Sequence, residues 1–104
     1  VNVAGEATKG GYTPDELPRE AERLASLPGL RVRGVMTMAP FEAEEPELRR
    51  VFSGARAALG TVQAAGHEEA RELSMGMSGD YEVAVEEGAT CVRLGTVLFG
   101  ARSA

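Results

Sequence analysis

Residues 73–80 read Leu-Ser-Met-Gly-Met-Ser-Gly-Asp, and this stretch decides how the chain is expected to fold. Leu73 to Met75 form a short strand-like run, and Gly76 ends it. Ser78 then stands where the N-cap of a following helix is expected, because its side-chain oxygen can accept a backbone N–H at the start of a helix. A strand that passes through a glycine turn into a helix is typical of a parallel β/α unit.

The same order of strand and helix is repeated on both sides of this stretch. Further strand-like runs are predicted at residues 1–4, 30–38 and 91–94, and glycine or Ala-Pro follows each of them. Strands that alternate with helices predict an α/β fold built from parallel β/α units. We therefore expect either half of a TIM-type (β/α)₈ barrel, which needs about 250 residues in full, or an open sheet of four parallel strands.

Three amphipathic helices are predicted between the strands. The first begins at a capping box of Thr13 and Glu16 and ends before Gly29. The second runs from about residue 46 to 65, and the third follows the serine at position 78. The second helix is expected to bury a stripe of Leu48, Val51, Phe52, Ala55, Leu59 and Val62. The third is expected to bury Tyr81, Ala84 and Val85.

The composition of the chain excludes several classes of protein. Residues 1–104 are interpreted as a single partial domain, because the predicted strands amount to half a barrel. Eleven basic residues stand against 16 acidic ones, and the net charge of −5 argues against nonspecific binding of nucleic acid. No apolar run is long enough to span a membrane. Cys91 is the only cysteine, which fits a reducing compartment, and we expect a cytoplasmic protein.

Two segments have the features of an anion site. Ligands of β/α proteins bind where parallel strands end at their carboxyl side. Around Ser78, glycines free the backbone and the unpaired N–H groups of a helix are expected. Beyond Arg93, the residues Gly95 and Thr96 offer backbone N–H groups that a phosphate could approach. The alternatives are an ordinary N-cap serine and an arginine that pairs with an acidic neighbour.

Three other reactive side chains are interpreted as having no role in chemistry. Lys9 is the only lysine, and it lies in a polar, glycine-rich loop where nothing desolvates its amine. His67 is expected at the surface and Cys91 in the core. The spacing of His, Cys and carboxylate residues predicts no metal site.

Four segments, taken in order, resemble the pyridoxal phosphate homeostasis proteins, the YggS/PROSC family. Val1–Gly11 is similar to the pattern VN-x-x-x-E-x-x-K-x-G, and Arg33–Met36 is similar to RGLM. Leu73–Asp80 is similar to LSMGMS-x-D, and Val92–Arg102 is similar to VRIGT-x-(I/L)FG-x-R. The four segments span the whole chain, so the resemblance covers all of it.

This resemblance implies a (β/α)₈ barrel like the N-terminal domain of alanine racemase, with the chain as its C-terminal half, strands five to eight. It implies pyridoxal 5′-phosphate (PLP) as the cofactor and a role in intracellular PLP homeostasis or carriage, without established catalysis. Met77 and Ser78 would bind the phosphate together with Gly95 and Thr96. Arg93 would face the pyridine nitrogen and keep it unprotonated, because a guanidinium does not readily give up a proton.

The sequence departs from the family in one respect. The Schiff-base lysine of the family lies on the first strand in a VSK segment, which this sequence does not contain. Lys9 matches a different lysine of the family and does not inherit that role. The chain would therefore supply the phosphate-binding half of the site and lack the covalent anchor.

Whether the whole protein is an enzyme stays open at this point. The alternative to a PLP carrier is a fragment of a PLP-dependent amino-acid racemase of the same barrel class. A racemase adds a C-terminal β-domain, which this sequence does not contain, so we favour the carrier. Half a barrel leaves strand edges unpaired. We therefore expect the missing N-terminal half, or self-association, to cover them.

Overall fold

The computed structural model of the chain describes residues 1–7 and 9–100. Thr8 in the first resembling segment and Ala101 and Arg102 in the last lie outside the described residues. The elements are α1 (Leu17–Ala25), β1 (Gly34–Met36), α2 (Glu45–Ala64), β2 (Glu72–Ser74), α3 (Tyr81–Glu86) and α4 (Thr96–Phe99).

The sheet is parallel, as the sequence predicts. β1 and β2 pair in parallel, with Val35 opposite Leu73. Cys91 extends the same sheet through a parallel bridge to Ser74, and the carbonyl of Cys91 accepts the N–H of Met75 at 3.1 Å. The predicted strand at 91–94 is thus present as a bridge and not as a regular strand.

The first predicted strand also lies beside the sheet without forming a regular strand. The ammonium group of Val1 donates to the carbonyl of Met36 at 2.8 Å, and the hydroxyl of Thr37 donates to the carbonyl of Val1 at 2.8 Å. The segments therefore follow one another across the sheet in chain order. An α/β fold with parallel strands is confirmed, whereas the assignment to strands five to eight of a barrel stays a prediction.

The core lies between the sheet and α2. The predicted stripe of α2 is confirmed, except that Ala58 is buried and Leu59 only half-buried. Both α1 and α3 pack against α2, with Leu17 and Ala21 of α1 in the core. The buried residues of α2 are Leu48, Val51, Phe52, Ala55, Ala58 and Val62.

Two glycines allow close approaches near the sheet. A Cβ at Gly34 would overlap the carbonyl oxygen of Glu72, so the pairing of β1 with β2 requires glycine there. Gly76 has φ +106°, which L side chains rarely adopt. A Cβ at Gly76 would also lie 2.8 Å from the Cβ of Ala84. This glycine therefore ends β2 and lets α3 pack closely behind it.

The capping box at the start of α1 is confirmed. The Thr13 hydroxyl oxygen accepts the N–H of Glu16 at 3.2 Å, and the Glu16 carboxylate accepts the N–H of Thr13 at 2.9 Å. The regular helix begins at Leu17, after this turn.

Three expectations about burial are wrong. Val85 is 56% exposed, and Val83 packs against the core in its place. Successive helix residues lie about 100° apart around the axis, so Val83 and Val85 point to opposite sides of Ala84, and Val83 is the one on the side of the core. Cys91 is exposed, because it bridges to only one strand in the described part of the chain. His67 is half-buried, with its Nε2 2.8 Å from the Ala21 carbonyl oxygen.

Candidate functional site

An open cleft of about 1110 Å³ lies at the carboxyl end of the sheet. Three loops line it, one after β1 (38–43), one after β2 (77–80) and one after Cys91 (within 93–100). Leu48 of α2 and Lys9 complete the walls. This is the edge at which β/α proteins bind their ligands.

The structure brings all the sequence-predicted site residues to this cleft. Met77 and Ser78 line it from the loop after β2. Arg93, Gly95 and Thr96 line it from the loop that follows Cys91. Two groups of residues, one within 77–78 and one within 93–96, therefore line one cavity although they are at least 15 positions apart in sequence.

Ser78 joins two of the loops. Its Oγ accepts the N–H of Gly95 at 3.1 Å and the N–H of Val97 at 3.0 Å. The prediction that Ser78 caps α3 is wrong, because Asp80 occupies the N-cap position and α3 has no side-chain cap. The Ser78 hydroxyl therefore hydrogen-bonds to the loop after Cys91 and not to the start of α3.

Val97 contacts a site residue in a way that the sequence did not reveal. Its N–H and that of Gly95 both donate to the hydroxyl oxygen of Ser78. Because the side chain of Val97 is apolar, it does not indicate that the backbone N–H of this residue forms a functional hydrogen bond. The one available sign was its position in the first turn after Gly95 and Thr96.

The turn that carries Ser78 is closed by its own hydrogen bonds. The N–H of Met77 donates to Asp80 Oδ1 at 2.8 Å. The carbonyl of Met77 accepts the N–H of Asp80 at 3.1 Å and of Tyr81 at 2.9 Å. The Met77 amide therefore already has an acceptor inside the turn, and the turn is tied directly to the start of α3.

Arg93 is held by carbonyl groups. Its backbone N–H donates to Gly76 at 2.8 Å, and its Nη2 donates to the carbonyl of the buried Thr37 at 2.9 Å. Its Nε is buried and has no acceptor within residues 1–7 and 9–100. Arg93 forms no ion pair with a carboxylate in the described part of the chain, so the alternative of a paired arginine is not supported. A buried donor without a partner is unfavourable, and this one belongs to a residue that lines the cleft.

The loop before Lys9 is organised by Asn2. The side-chain oxygen of Asn2 accepts the N–H groups of Gly5 and Glu6 at 3.1 and 3.2 Å, and its amide donates to the carbonyl of Glu6 at 2.8 Å. Lys9 follows this loop, is exposed, and borders the cleft. Exposure agrees with an amine that nothing desolvates, although its place at the cleft was not predicted.

Clusters of metal-ligating side chains and apolar helices of membrane-spanning length are both absent from the described residues. These residues contain no cluster of three or more His, Cys, Asp or Glu side chains able to hold a metal ion. Nor does any helix within them combine the length and the apolar character that crossing a bilayer needs.

Comparisons with known proteins agree on one group. The family model described as "Alanine racemase, N-terminal domain" matches residues 1–103. The pyridoxal phosphate homeostasis protein of Aquifex aeolicus is 45% identical over 102 residues, covering 98% of this chain and 45% of its own. That of Pseudomonas aeruginosa is 46% identical over 102 residues, covering 98% and 43%. The chain thus spans less than half the length of these relatives.

A solved structure extends the comparison to three dimensions. PipY of Synechococcus elongatus, with PLP bound, has a TM-score of 0.82 to this chain at 38% sequence identity. The match covers 96% of this chain and 47% of PipY.

Proposed function

Because this chain belongs to the alanine racemase N-terminal domain family and, within it, to the YggS/PROSC type of pyridoxal phosphate homeostasis proteins, we propose that it binds PLP and serves PLP homeostasis. The names of its relatives and the PLP-bound state of PipY support the choice of ligand. The observation that carries the proposal is the cleft itself. There, two backbone N–H groups donate to the Ser78 hydroxyl oxygen, and the Nε of Arg93 has no acceptor in the described part of the chain.

The donors of the cleft fit the two ends of PLP. Ser78, Gly95 and Thr96, with Met77 beside them, bind the phosphate in this proposal. The hydroxyls of Ser78 and Thr96 are donors of the kind that a phosphate group needs. The N–H groups of Met77 and Gly95, which bond to Asp80 and Ser78 in this structure, would exchange those acceptors for phosphate oxygens. The apolar part of the cleft wall, which includes Phe99, suits the ring and methyl group of the ligand.

Arg93 faces the pyridine nitrogen in this proposal. A guanidinium stays charged and acts only as a donor, so it can hydrogen-bond the nitrogen lone pair but not receive a proton from it. When bound, PLP supplies an electron-withdrawing ring, and that ring withdraws most strongly when its nitrogen is protonated. Arg93 therefore leaves the ring nitrogen unprotonated in this proposal, which weakens the ring as an electron sink.

The chain acts in this proposal as the phosphate-binding half of a (β/α)₈ barrel, corresponding to strands five to eight. Chain-order placement of parallel segments and a ligand cleft at their carboxyl ends support the barrel. No VSK segment with the Schiff-base lysine is found in the sequence. PLP is therefore held noncovalently by this chain. The other half of the barrel, or a second copy, covers the open strand edges.

A cytoplasmic location belongs to the same proposal. Cys91 is a free, exposed thiol, which a reducing compartment preserves. The net charge of −5 supports a small-molecule partner over a nucleic acid.

The test is a pair of titrations with PLP and with pyridoxal, which lacks only the phosphate, followed by absorbance and by calorimetry. We expect PLP to bind at least about tenfold more tightly, because several donors are reserved for the phosphate. Inorganic phosphate should compete with PLP and not with pyridoxal. Equal affinity for the two ligands, or no binding of either, would refute the proposal.

A further inference from the structure

Arg49 on α2 holds the far end of α3. Its Nη2 lies 2.6 Å from Glu86 Oε1 and its Nη1 lies 2.9 Å from Glu87 Oε2. Its Nε lies 3.6 Å from Glu45 Oε2 on its own helix. The carboxylates raise the pKa of Arg49, chiefly through the hydrogen bond with Glu86. One guanidinium thus ties two consecutive residues at the end of α3 to α2.

The position of α3 depends on such contacts, because the helix has only six residues and no side-chain cap. Helices this short are not stable by themselves. At its start, α3 is joined to Ser78 through the turn in which the carbonyl of Met77 accepts the N–H of Tyr81. In its middle, Ala84 packs against Gly76. Val83 also packs against the core. At the end of α3 the two short ion pairs of Arg49 are joined by a longer one, in which Nη2 of Arg56 on α2 lies 3.9 Å from Glu87 Oε1.

The same part of α2 also forms the cleft. Leu48, the neighbour of Arg49, is buried and lines the cavity. Arg49 itself does not line it. One turn of α2 therefore contributes a wall of the cleft and, through Arg49, fixes the helix that follows Ser78.

We propose that Arg49 is a positioning residue for the phosphate-binding turn. By fixing α3 against α2 it keeps the Ser78 hydroxyl in register with the N–H groups of Gly95 and Val97, and so sets the affinity for the phosphate group of the ligand. This inference rests on the proposed function for its ligand. Its structural part, the link from Arg49 to the Ser78 contact, does not depend on a ligand.

The experiment compares Arg49→Met with Arg50→Met. Arg50 is the matched control, because it pairs with Glu47 at 2.7 Å within α2 and forms no ion pair with another helix among the described residues. We expect Arg49→Met to weaken PLP binding about threefold, the scale of a partly exposed ion-pair network, and to leave pyridoxal binding unchanged. Arg50→Met should change neither. An equal loss for both ligands would mean general destabilisation and would overturn the proposal.

A second readout needs no ligand. Hydrogen exchange followed by mass spectrometry should show faster exchange at the Gly95 and Val97 amides in Arg49→Met, with the Thr37 amide unchanged because it is bonded to Ser74 in the sheet. If wild-type protein does not prefer PLP over pyridoxal, the proposed function fails while this readout still decides the role of Arg49. Unchanged exchange at Gly95 and Val97 would overturn that role.

Removal of the acidic partner provides the complementary test. Glu86→Gln should reproduce the selective loss of PLP affinity, and the double variant with Arg49→Met should lose little more than either single variant. Fully additive losses would show that the two residues act separately and would overturn the proposal.

Discussion

The side-chain oxygen of Ser78 accepts the backbone N–H of Gly95 at 3.1 Å, across 17 residues of sequence. This contact joins the loop after β2 to the loop after Cys91, and both loops line the cleft. A side chain that binds a backbone amide of another loop fixes two strand ends relative to each other. The predictions below follow from this arrangement and from the packing beneath it.

Replacement of Ser78 by Ala should weaken PLP binding. The Ser78 hydroxyl is one of the side-chain donors to the phosphate in our proposal, and loss of a hydrogen bond to a charged group costs about 1–3 kcal/mol. Calorimetric titration with PLP measures the effect. Ser53→Ala is the control, since the Ser53 hydroxyl bonds to Arg50 within α2 and lies outside the cleft wall. Unchanged PLP affinity in Ser78→Ala would contradict the phosphate assignment.

Replacement of Arg93 by Gln should change the absorbance spectrum of bound PLP more than its affinity. A glutamine amide is neutral, so a pyridine nitrogen beside it is protonated more readily than beside a guanidinium. Absorbance spectra across a range of pH measure the change. Arg33→Gln is the control, because Arg33 is exposed and does not border the cleft. A loss of affinity without any spectral change would argue against contact between Arg93 and the ring.

Replacement of Gly34 by Ala should destabilise the fold by about 1–3 kcal/mol, the usual cost of forcing extra atoms into a packed site. The new methyl group would overlap the backbone carbonyl of Glu72, which cannot move without separating the strands. Urea denaturation measures the change. Gly60→Ala is the control, since no atom lies within 4 Å of a Cβ there and alanine favours a helix by up to about 1 kcal/mol. Equal stability of the two variants would contradict the strand register.

Lys9 should form no covalent adduct with PLP. Its amine is exposed and lacks the apolar surroundings that activate a lysine as a nucleophile. Borohydride reduction of the PLP-loaded chain, followed by peptide mapping, tests this. Mapping is needed because the amino group of Val1 could also be modified, and the two sites must be told apart. Stoichiometric labelling at Lys9 would contradict this prediction and show that the lysine reacts with the cofactor at the cleft.

The isolated chain should associate. Phe41 and Phe99 at the cleft are 93% and 85% exposed, and Met36 on the strand itself is half-exposed. Unpaired strand edges and apolar patches favour contacts with other chains. Sedimentation at several concentrations should therefore show a weight that rises with concentration. A compact monomer over the whole range would count against the half-barrel interpretation.

Much of the fold could be predicted from the sequence, because it depends on short-range patterns. The capping box of Thr13 and Glu16 needs only a turn of the chain. The stripe of α2 follows from the helical period, and the glycines at strand ends follow from the turns they permit. The family was identified from motifs in the same way, and the family match to residues 1–103 confirms it.

The candidate site was only partly predictable from the sequence. Which loops would meet was predictable from the sequence, because parallel strands end at one edge of a sheet, and Ser78, Arg93 and Gly95 do line one cleft there. The bonds of Ser78 to Gly95 and Val97, and not to its own helix, were not predictable in that way. The physical reason is that one hydroxyl has several N–H groups within reach of its loop, and the choice among them depends on where packing places distant parts of the backbone.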